Sequence, residues 1–587
     1  MLLEDSSGRS KEIVRKGHLI ERDEQLREPS VAEFVRGMER RRLTSQGWHS
    51  IYSVMRDGRQ LAQALASAED PSTIIKPYVQ AVETGKVCEE TGLVLSDIWR
   101  YFRHTWVTAY RSVPGRSMMV LVRDAACKHH PVIGIGALGS AVVQQSVRDR
   151  WIGWHAANGI PPLLDKPVPA TARWLCKRLD DQLRTIYKAD LFRSELLKPS
   201  DLRRPSERVI ARLRTRAEKA MVAHRLNPQK AVHKRSLSDG APTRGEWRAR
   251  AESNLFLAKR CKLLASLLGI QLAFNEHLRN AKRKKQVALA FSQGKVRAAI
   301  GRLVRLLKAD HVGINLMDIT VCGAIAPYNA LLGGKLVCLM LASPIVVEAY
   351  RKRYGKQQSL IASCMKGERV IRKPDLVLLG TTSLYGIGSS QYNRIRVDAE
   401  QLGGAPGARI EYVELGASVG FGSFHFSDET VELINVLLGR VKEGRRVNSI
   451  FGEGVNPLMR KIREALDLLG MGSDNILKHG NRRIVYAVPL ATNFREILLG
   501  LQQRPKYIVP TKDPEAGTNA LANYWTNRWL QKRIERPGIL QQVATHTTDY
   551  PIHHGARVTL PDDEENIPPL LKNMDAAGLA AQQVPAV

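Results

Sequence analysis

The sequence lacks any run of about 18 uncharged apolar residues, the length a membrane-spanning helix needs. Its opening stretch, MLLEDSSGRSKEIVRKGHLIERDE, lacks the apolar segment of a secretory signal. Both absences predict a cytoplasmic protein with no membrane contact. The seven cysteines (Cys88, Cys127, Cys176, Cys261, Cys322, Cys338 and Cys364) include no Cys-x-x-Cys pair, so neither a disulfide framework nor a zinc ribbon is expected. Cys127-Lys128-His129-His130 and His553-His554 carry ligand residue types without a second matching pair, and no metal site is expected. No phosphate-binding Gly-x-x-x-x-Gly-Lys-Ser/Thr loop occurs, so any ATP-driven step belongs to a partner and no cofactor is called for.

Acidic charge is also scarce. Against 89 Lys and Arg stand 57 Asp and Glu, a net charge of +32 over 587 residues, which makes a polyanion the natural partner. The excess is concentrated: residues 201–250 carry +9 and residues 251–310 carry +10. The first stretch reads as a helix followed by a mobile basic linker. The second reads as a long amphipathic helical region with a basic face. On that face Arg279, Lys282, Arg283, Lys284, Lys285, Arg297, Arg302 and Arg305 are placed to follow a phosphate backbone.

The length predicts more than one substructure. Residues 1–95 read as a helical N-terminal region, and 96–155 as the first half of an α/β core, with strands in SMMVLVRDA, HPVIGIGALGS and RDRWIGW. Flanking these strands, Tyr101, Trp106, Tyr110, Trp151 and Trp154 alternate with Arg103, Arg111, Arg116, Arg148 and Arg150. That mixture suits unpaired bases and phosphates, and Arg103, Arg116 and Arg148 join the candidate nucleic-acid contacts. Residues 156–310 read as a basic helical insertion and linker, 311–505 as the second half of the core with a helical extension, and 506–587 as a C-terminal extension, disordered beyond about 560. The fold expected is thus α/β (mixed α+β), a GNAT-like mixed-sheet core assembled from two sequence-distant halves, because neither half alone has strands enough to cover both faces.

Within the second half, Met317, Ile319 and Val321 alternate with Asp318, Thr320 and Cys322, the pattern of a half-buried strand with one polar face. The stretch VCGAIAPYNALLGGKL, with Tyr328, Gly333, Gly334 and Lys335, looks like the pyrophosphate-binding turn of acetyltransferase-type (GNAT) folds, where amides at a helix N-terminus hold an anion. The next loop holds Thr381, Thr382, Ser383, Tyr385, Ser389, Ser390, Gln391, Tyr392 and Arg394 between glycines, a composition suited to a phosphate, a sugar or an unpaired base. Asp318, His425, Glu453 and His479 are further polar candidates. Pro374-Asp375 matches part of a nuclease motif, but no acid-x-Lys follows at Asp398 or Glu400.

Longer blocks carry a family resemblance. YFRHTW with PGR and LVRDAA, HPVIGIGALGS with RDRWIGW, ITVCGAIAPYNALLGGKLVCLMLASP, LLGTTSLYGIGSSQYNR, GFGSFHFS, IFGEGVNPLMRKIREALDLLG and VPLATNFREILLGL span about 95–505. In these the chain resembles the DruA family of the Druantia anti-phage system. The resemblance implies membership of a multi-protein defence system with a large helicase-like component, and relatives also look like passengers of transposons. It supplies no catalytic residues. The expectation is therefore a DNA-recognition subunit working with other Druantia proteins. A GNAT-like acyltransferase, or another enzyme acting on nucleic acid such as a nuclease, stands as the alternative, and self-association is left open.

Overall fold

The computed structural model describes residues 8–104, 106, 115–156, 159–227, 242–383, 388–418, 426–441, 457–478 and 482–547. Seven strands form one sheet: β1 (Pro77–Val82), β2 (Ser117–Asp124), β3 (Val132–Ser140), β4 (Leu316–Ala324), β5 (Leu378–Thr382), β6 (Val413–Ala417) and β7 (Ile484–Pro489). Their spatial order is β6-β7-β5-β4-β3-β2-β1. Every neighbouring pair is antiparallel except β4 and β5, which run parallel for three register pairs, Leu316↔Leu378 to Asp318↔Gly380. Strands from the two distant parts of the sequence meet at β3 and β4, from Gly134↔Ala324 to Ser140↔Met317.

The principal helices are α1 (Leu95–His104), α2 (Ser146–Ile152), α3 (Pro169–Arg184), α4 (Glu207–Leu226), α5 (Asn254–His277), α6 (Lys284–Ser292), α7 (Gly294–His311), α8 (Gly333–Leu341), α9 (Pro344–Tyr354) and α10 (Pro514–Trp525). Both sheet faces are covered, which is why β2 and β3 read as nearly unbroken apolar runs. On one face Val120, Val122, Leu138, Met317 and Ile319 pack with α8, α9 and α10. Gly134 and Gly136 let α8 close onto β3, since a Cβ there would stand 2.5 Å from Val337 and 2.7 Å from Leu341. On the opposite face, Leu121, Ile135 and Ala137 pack with α1, while Leu316, Leu378 and Ala487 meet the helices of 160–311.

Several expectations are corrected. Residues 1–95 are not only helical: β1 forms an edge of the sheet, and Arg42–Thr44 pairs with Gly47–His49 in a separate two-stranded ribbon. RDRWIGW is not a strand but the end of α2 and its Gly153 cap, because Gln145 accepts from the amides of Val147 and Arg148 and starts a helix there. The alternation in β4 does not run through. A register shift opposite Ala137 and Leu138 sends Val321 to the α1 face, away from Met317 and Ile319, and Cys322 joins theirs. Asp318 lies over Gly380, whose absent Cβ leaves it room, and accepts from the amide of Val142 at 3.0 Å.

α5 carries no basic stripe. Fourteen of its 24 residues are buried around the whole circumference, as befits the central helix of a bundle, and it packs against α3, α4 and α7. Its Arg260 is fully buried and engages Asp190 through two bonds of 2.8 and 2.6 Å, with the carbonyls of Tyr187 and Ala251 taking two further donors. In Pro457–Leu468 and its flank, Ile462 and Leu466 are buried and Leu469 is exposed. The extension after 506 returns to the sheet through α10, whose Leu521 and Trp525 are buried. The disorder expected beyond about 560 lies outside the described residues. Among those residues, no single helix is long and apolar enough to cross a membrane.

Candidate functional site

After β4 the chain turns through Tyr328 to Leu332 into α8. Leu332 takes a left-handed conformation, φ +59°, unusual for a branched residue and held here by its surroundings. Gly333 must be glycine, since a Cβ would sit 2.7 Å from the Tyr328 carbonyl oxygen and 2.8 Å from the Ala324 methyl. The α8 N-terminus thereby starts directly beneath the loop Gly388–Arg394. Lys335 Nζ donates to the Ser390 carbonyl at 2.7 Å, and Gln391 Nε2 donates to the carbonyls of Gly334 at 3.2 Å and Cys322 at 3.3 Å. Gln391 also reaches Cys338 Sγ at 3.1 Å, and the two thiols Cys322 and Cys338 lie 3.4 Å apart.

A cavity of about 710 Å³ opens between this loop and the helical run that follows α10. Lys335, Arg394 and Arg396 line one side, with Ser390, Gln391 and Gly334. Arg528, Lys532, Arg533 and Arg536 line the other, with Tyr524 and Trp529, and among the described residues no carboxylate lines the cavity. Arg396 pairs with Glu411 at 3.0 Å. Among the described residues, none of Arg394, Arg528, Lys532, Arg533 and Arg536 has a carboxylate within ion-pair distance. Burial pulls the Lys335 ammonium below the ordinary lysine value, with Cys338 opposing and Arg394 adding to the drop. Burial also lowers Arg533, and Arg536 adds to it. Such a pocket suits a polyanion.

The sequence reading placed Gly334, Lys335, Ser390, Gln391 and Arg394 in the candidate site, and the fold brings these together. It missed the opposite wall. Tyr524, Arg528, Lys532 and Arg536 recur every four residues, so one helical face of aromatic and cationic side chains was legible in NYWTNRWLQKRIER. Thr526–Leu530 is a turn of π-helix, which places Arg528 and Trp529 on the cavity.

Other sequence candidates lie elsewhere. Tyr328 is fully buried, its hydroxyl donating to Asp124 at 2.8 Å. Thr381 and Ser383 are buried at the β5 end, where Thr381 donates to the Ile319 carbonyl and Ser383 bonds Ile484; Thr382 is exposed on the strand. Tyr392 is not free to stack on a base: its ring lies parallel to Tyr412 at 5.0 Å and edge-on to Tyr486 at 5.2 Å. Ser389 gives its amide to the Tyr486 hydroxyl. Thr320 donates to the Ala137 carbonyl, and burial raises the Asp318 carboxyl above its usual range while Arg148 opposes the rise. Tyr385, His425, Glu453 and His479 lie outside the described residues.

The candidate nucleic-acid contacts divide. Arg103 and Arg148 are buried, and Arg148 serves an internal cluster in which it and Lys308 share Asp149. Arg116 donates to the Gly313 carbonyl and lies over the Tyr354 ring. The aromatics beside them are core: Tyr101 is buried, Trp154 donates to the Leu498 carbonyl, and Trp151 stacks on Phe494 at 4.9 Å. These side chains were misread because a buried, paired arginine and an exposed one have the same letter. Arg279 pairs with Asp180 at 2.8 Å, Arg297 donates to the Phe291 carbonyl, and Arg302 is half-buried while Arg305 is exposed. Lys282, Arg283, Lys284 and Lys285 are all exposed at the start of α6, where Gln286 accepts from the amides of Lys282 and Arg283.

The fold and this geometry define a mixed α/β protein with a covered seven-stranded sheet and a cation-lined pocket at one end of it. Residues 34–163 and 307–500 match the family described as Druantia protein DruA, and the chain belongs to that family. A Druantia protein DruA from Escherichia coli (strain UMEA 4076-1) is 36% identical over 224 residues, which are 38% of this chain and 50% of that protein, so the match spans half of the relative's length. No solved structure matches the chain. The matched segments contain the sheet, whereas most of the helices of 169–311 and the Arg528–Arg536 wall fall outside them.

Proposed function

We propose that this protein is a cytoplasmic DNA-binding recognition subunit of a Druantia-type anti-phage system, acting beside a helicase-type partner. Family membership supports the defence role, since Druantia is the system named for the relative. The observation that carries DNA binding is the run Lys282, Arg283, Lys284 and Lys285. These four consecutive cations are exposed at a helix N-terminus and, among the described residues, have no acidic partner within ion-pair distance. A solvated face of a stable helix usually interleaves both signs, whereas an unbroken cationic block releases counterions from a phosphate backbone. The test is duplex binding against salt, with the four residues changed to alanine. A weakened, sequence-independent affinity supports the reading, and unchanged affinity removes it. In a phage-protection assay, Gln391→Ala and Arg394→Ala ask whether the 388–394 loop is needed for defence, with thermal melts to separate loss of function from loss of fold.

One observation favours a second reading, GNAT-like acyl transfer. β4 and β5 pair for three residues and then part, and the α8 N-terminus, with the Cβ-intolerant Gly333, lies beside the pocket. Under that reading coenzyme A raises the melting temperature; under the DNA-recognition reading it does not.

A further inference from the structure

We propose that the cavity between the 388–394 loop and the 528–536 segment is a nucleotide site, taking phosphates against Arg394, Arg528 and Lys532 and a base on Trp529. It extends the DNA-binding reading to a second place in the molecule and is tested separately from the exposed Lys282–Lys285 surface.

Three independent features carry it. The first is volume: about 710 Å³ lies within the range of small-ligand sites and fits a nucleotide. The second is unbalanced charge. Seven cations converge, of which Arg396 pairs with Glu411, with no carboxylate among the described lining residues, and holding them together costs folding energy that a multiply charged anion offsets. Lys335 and Arg533 are already occupied, by the Ser390 carbonyl at 2.7 Å and the Ala330 carbonyl at 2.9 Å, so they set the walls. Arg394, Arg528 and Lys532, like Arg536, are exposed and available to phosphate oxygens.

The third feature is an aromatic surface among the cations. Trp529 is half-buried, braced edge-on by Tyr524 at 5.6 Å, with the Lys335 ammonium 5.6 Å from its ring centre. A simple phosphate or sulfate site needs no indole, whereas a nucleotide presents a base to stack as well as a charge to neutralise. Asn329 and Ser390 add hydrogen-bonding groups suited to a sugar or a base edge. The π-helical turn Thr526–Leu530 carries both Arg528 and Trp529, and such turns are concentrated at functional sites. This wall lies outside the segments that match the family, so the site is a property read from this chain.

A free nucleotide and the 5′ end of a DNA strand both supply such a phosphate, and titration calorimetry on the full chain distinguishes them. ATP is compared with a short 5′-phosphorylated single strand and with the same strand ending in a hydroxyl. The expected result is binding of ATP, of the phosphorylated strand in preference to the hydroxyl strand, or of both. Lys532→Glu and Arg528→Ala should each weaken that binding about tenfold or more without moving the melting temperature. Trp529→Ala should weaken it about fivefold or more while leaving inorganic pyrophosphate binding unchanged. The alanine variant of Lys282–Lys285 should leave it intact. ATP binding alone assigns a free nucleotide, and preference for the phosphorylated strand assigns a strand end. Failure of both ligands to bind, indifference to Lys532→Glu and Arg528→Ala, or loss only in the Lys282–Lys285 variant would each overturn the proposal.

Discussion

Arg533 Nε donates to the carbonyl oxygen of Ala330 at 2.9 Å, joining positions 203 residues apart. Beside it, Trp525 Nε1 donates to the Leu332 carbonyl at 3.2 Å. Together these bonds seat the C-terminal helices on the turn that precedes α8, and that turn is tightly constrained by Gly333. Gly333→Ala should therefore destabilise the protein by about 1–3 kcal/mol, because its methyl meets a backbone oxygen and another methyl that have nowhere to go. Gly334→Ala should cost less, since its nearest neighbour is the Gln391 side chain at 3.3 Å. Denaturant melts of the two variants check the order.

The internal cluster of Arg148, Asp149 and Lys308 predicts a different behaviour for arginines two positions apart. Asp149 accepts from Lys308 and, at 2.9 Å, from Arg148, both enclosed by protein. Removing the shared carboxylate with Asp149→Ala leaves two buried cations unpaired and should cost about 3–5 kcal/mol. Arg148→Ala should also lower stability, whereas the exposed Arg150→Ala should change it by about 0.5 kcal/mol or less. Equal melts for Arg148→Ala and Arg150→Ala would contradict the cluster's role.

For the exposed Lys282–Lys285 run the expected signature is ionic. Each neutralised phosphate contributes about 0.9 to the slope of log affinity against log salt. The four-alanine variant should lower the slope by up to about 3.6 with no change in the melt, as the four side chains are exposed and, among the described residues, take part in no ion pair. Affinity titrations at three or more salt concentrations measure it.

Acid should weaken the fold through His546. This histidine is buried beside Gly58, whose amide donates to its carbonyl oxygen, neither ring nitrogen finds a partner among the described residues, and burial lowers its pKa to about 4. The unfolded chain takes up a proton below about pH 6.5, while the folded one resists until near pH 4. Stability is thus full above pH 6.5 and falls between 6.5 and 4, by about 1.4 kcal/mol per unit for this group at steepest. His104, lowered to about 4 by burial beside Arg100 and Arg103, adds in the same direction. In His546→Phe the slope should flatten, a difference that melts at pH 7.5 and 5 resolve.

Local patterns in the sequence determined the elements whose environment is uniform along their length. β2 and β3 are apolar throughout because both faces are covered, and α8 and α9 follow from Gly333 and the Ser343-Pro344 start. The charge excess near α6 was equally plain, since four consecutive cations cannot all be buried. Tertiary structure alone decided the rest. It settled which arginines are internal: Arg148 is buried with its guanidinium on Asp149 and the Val142 carbonyl, and Arg260 is buried on Asp190, whereas Arg150 is exposed. It reversed the face of Val321 through a register shift that depends on β3, a strand about 180 positions away. It also built the pocket, whose walls come from 329–335, 390–396 and 524–536. A local pattern records how a segment meets its own neighbours in sequence. A pocket made by three segments is fixed by long-range packing, so its composition was present in the sequence and its location was not.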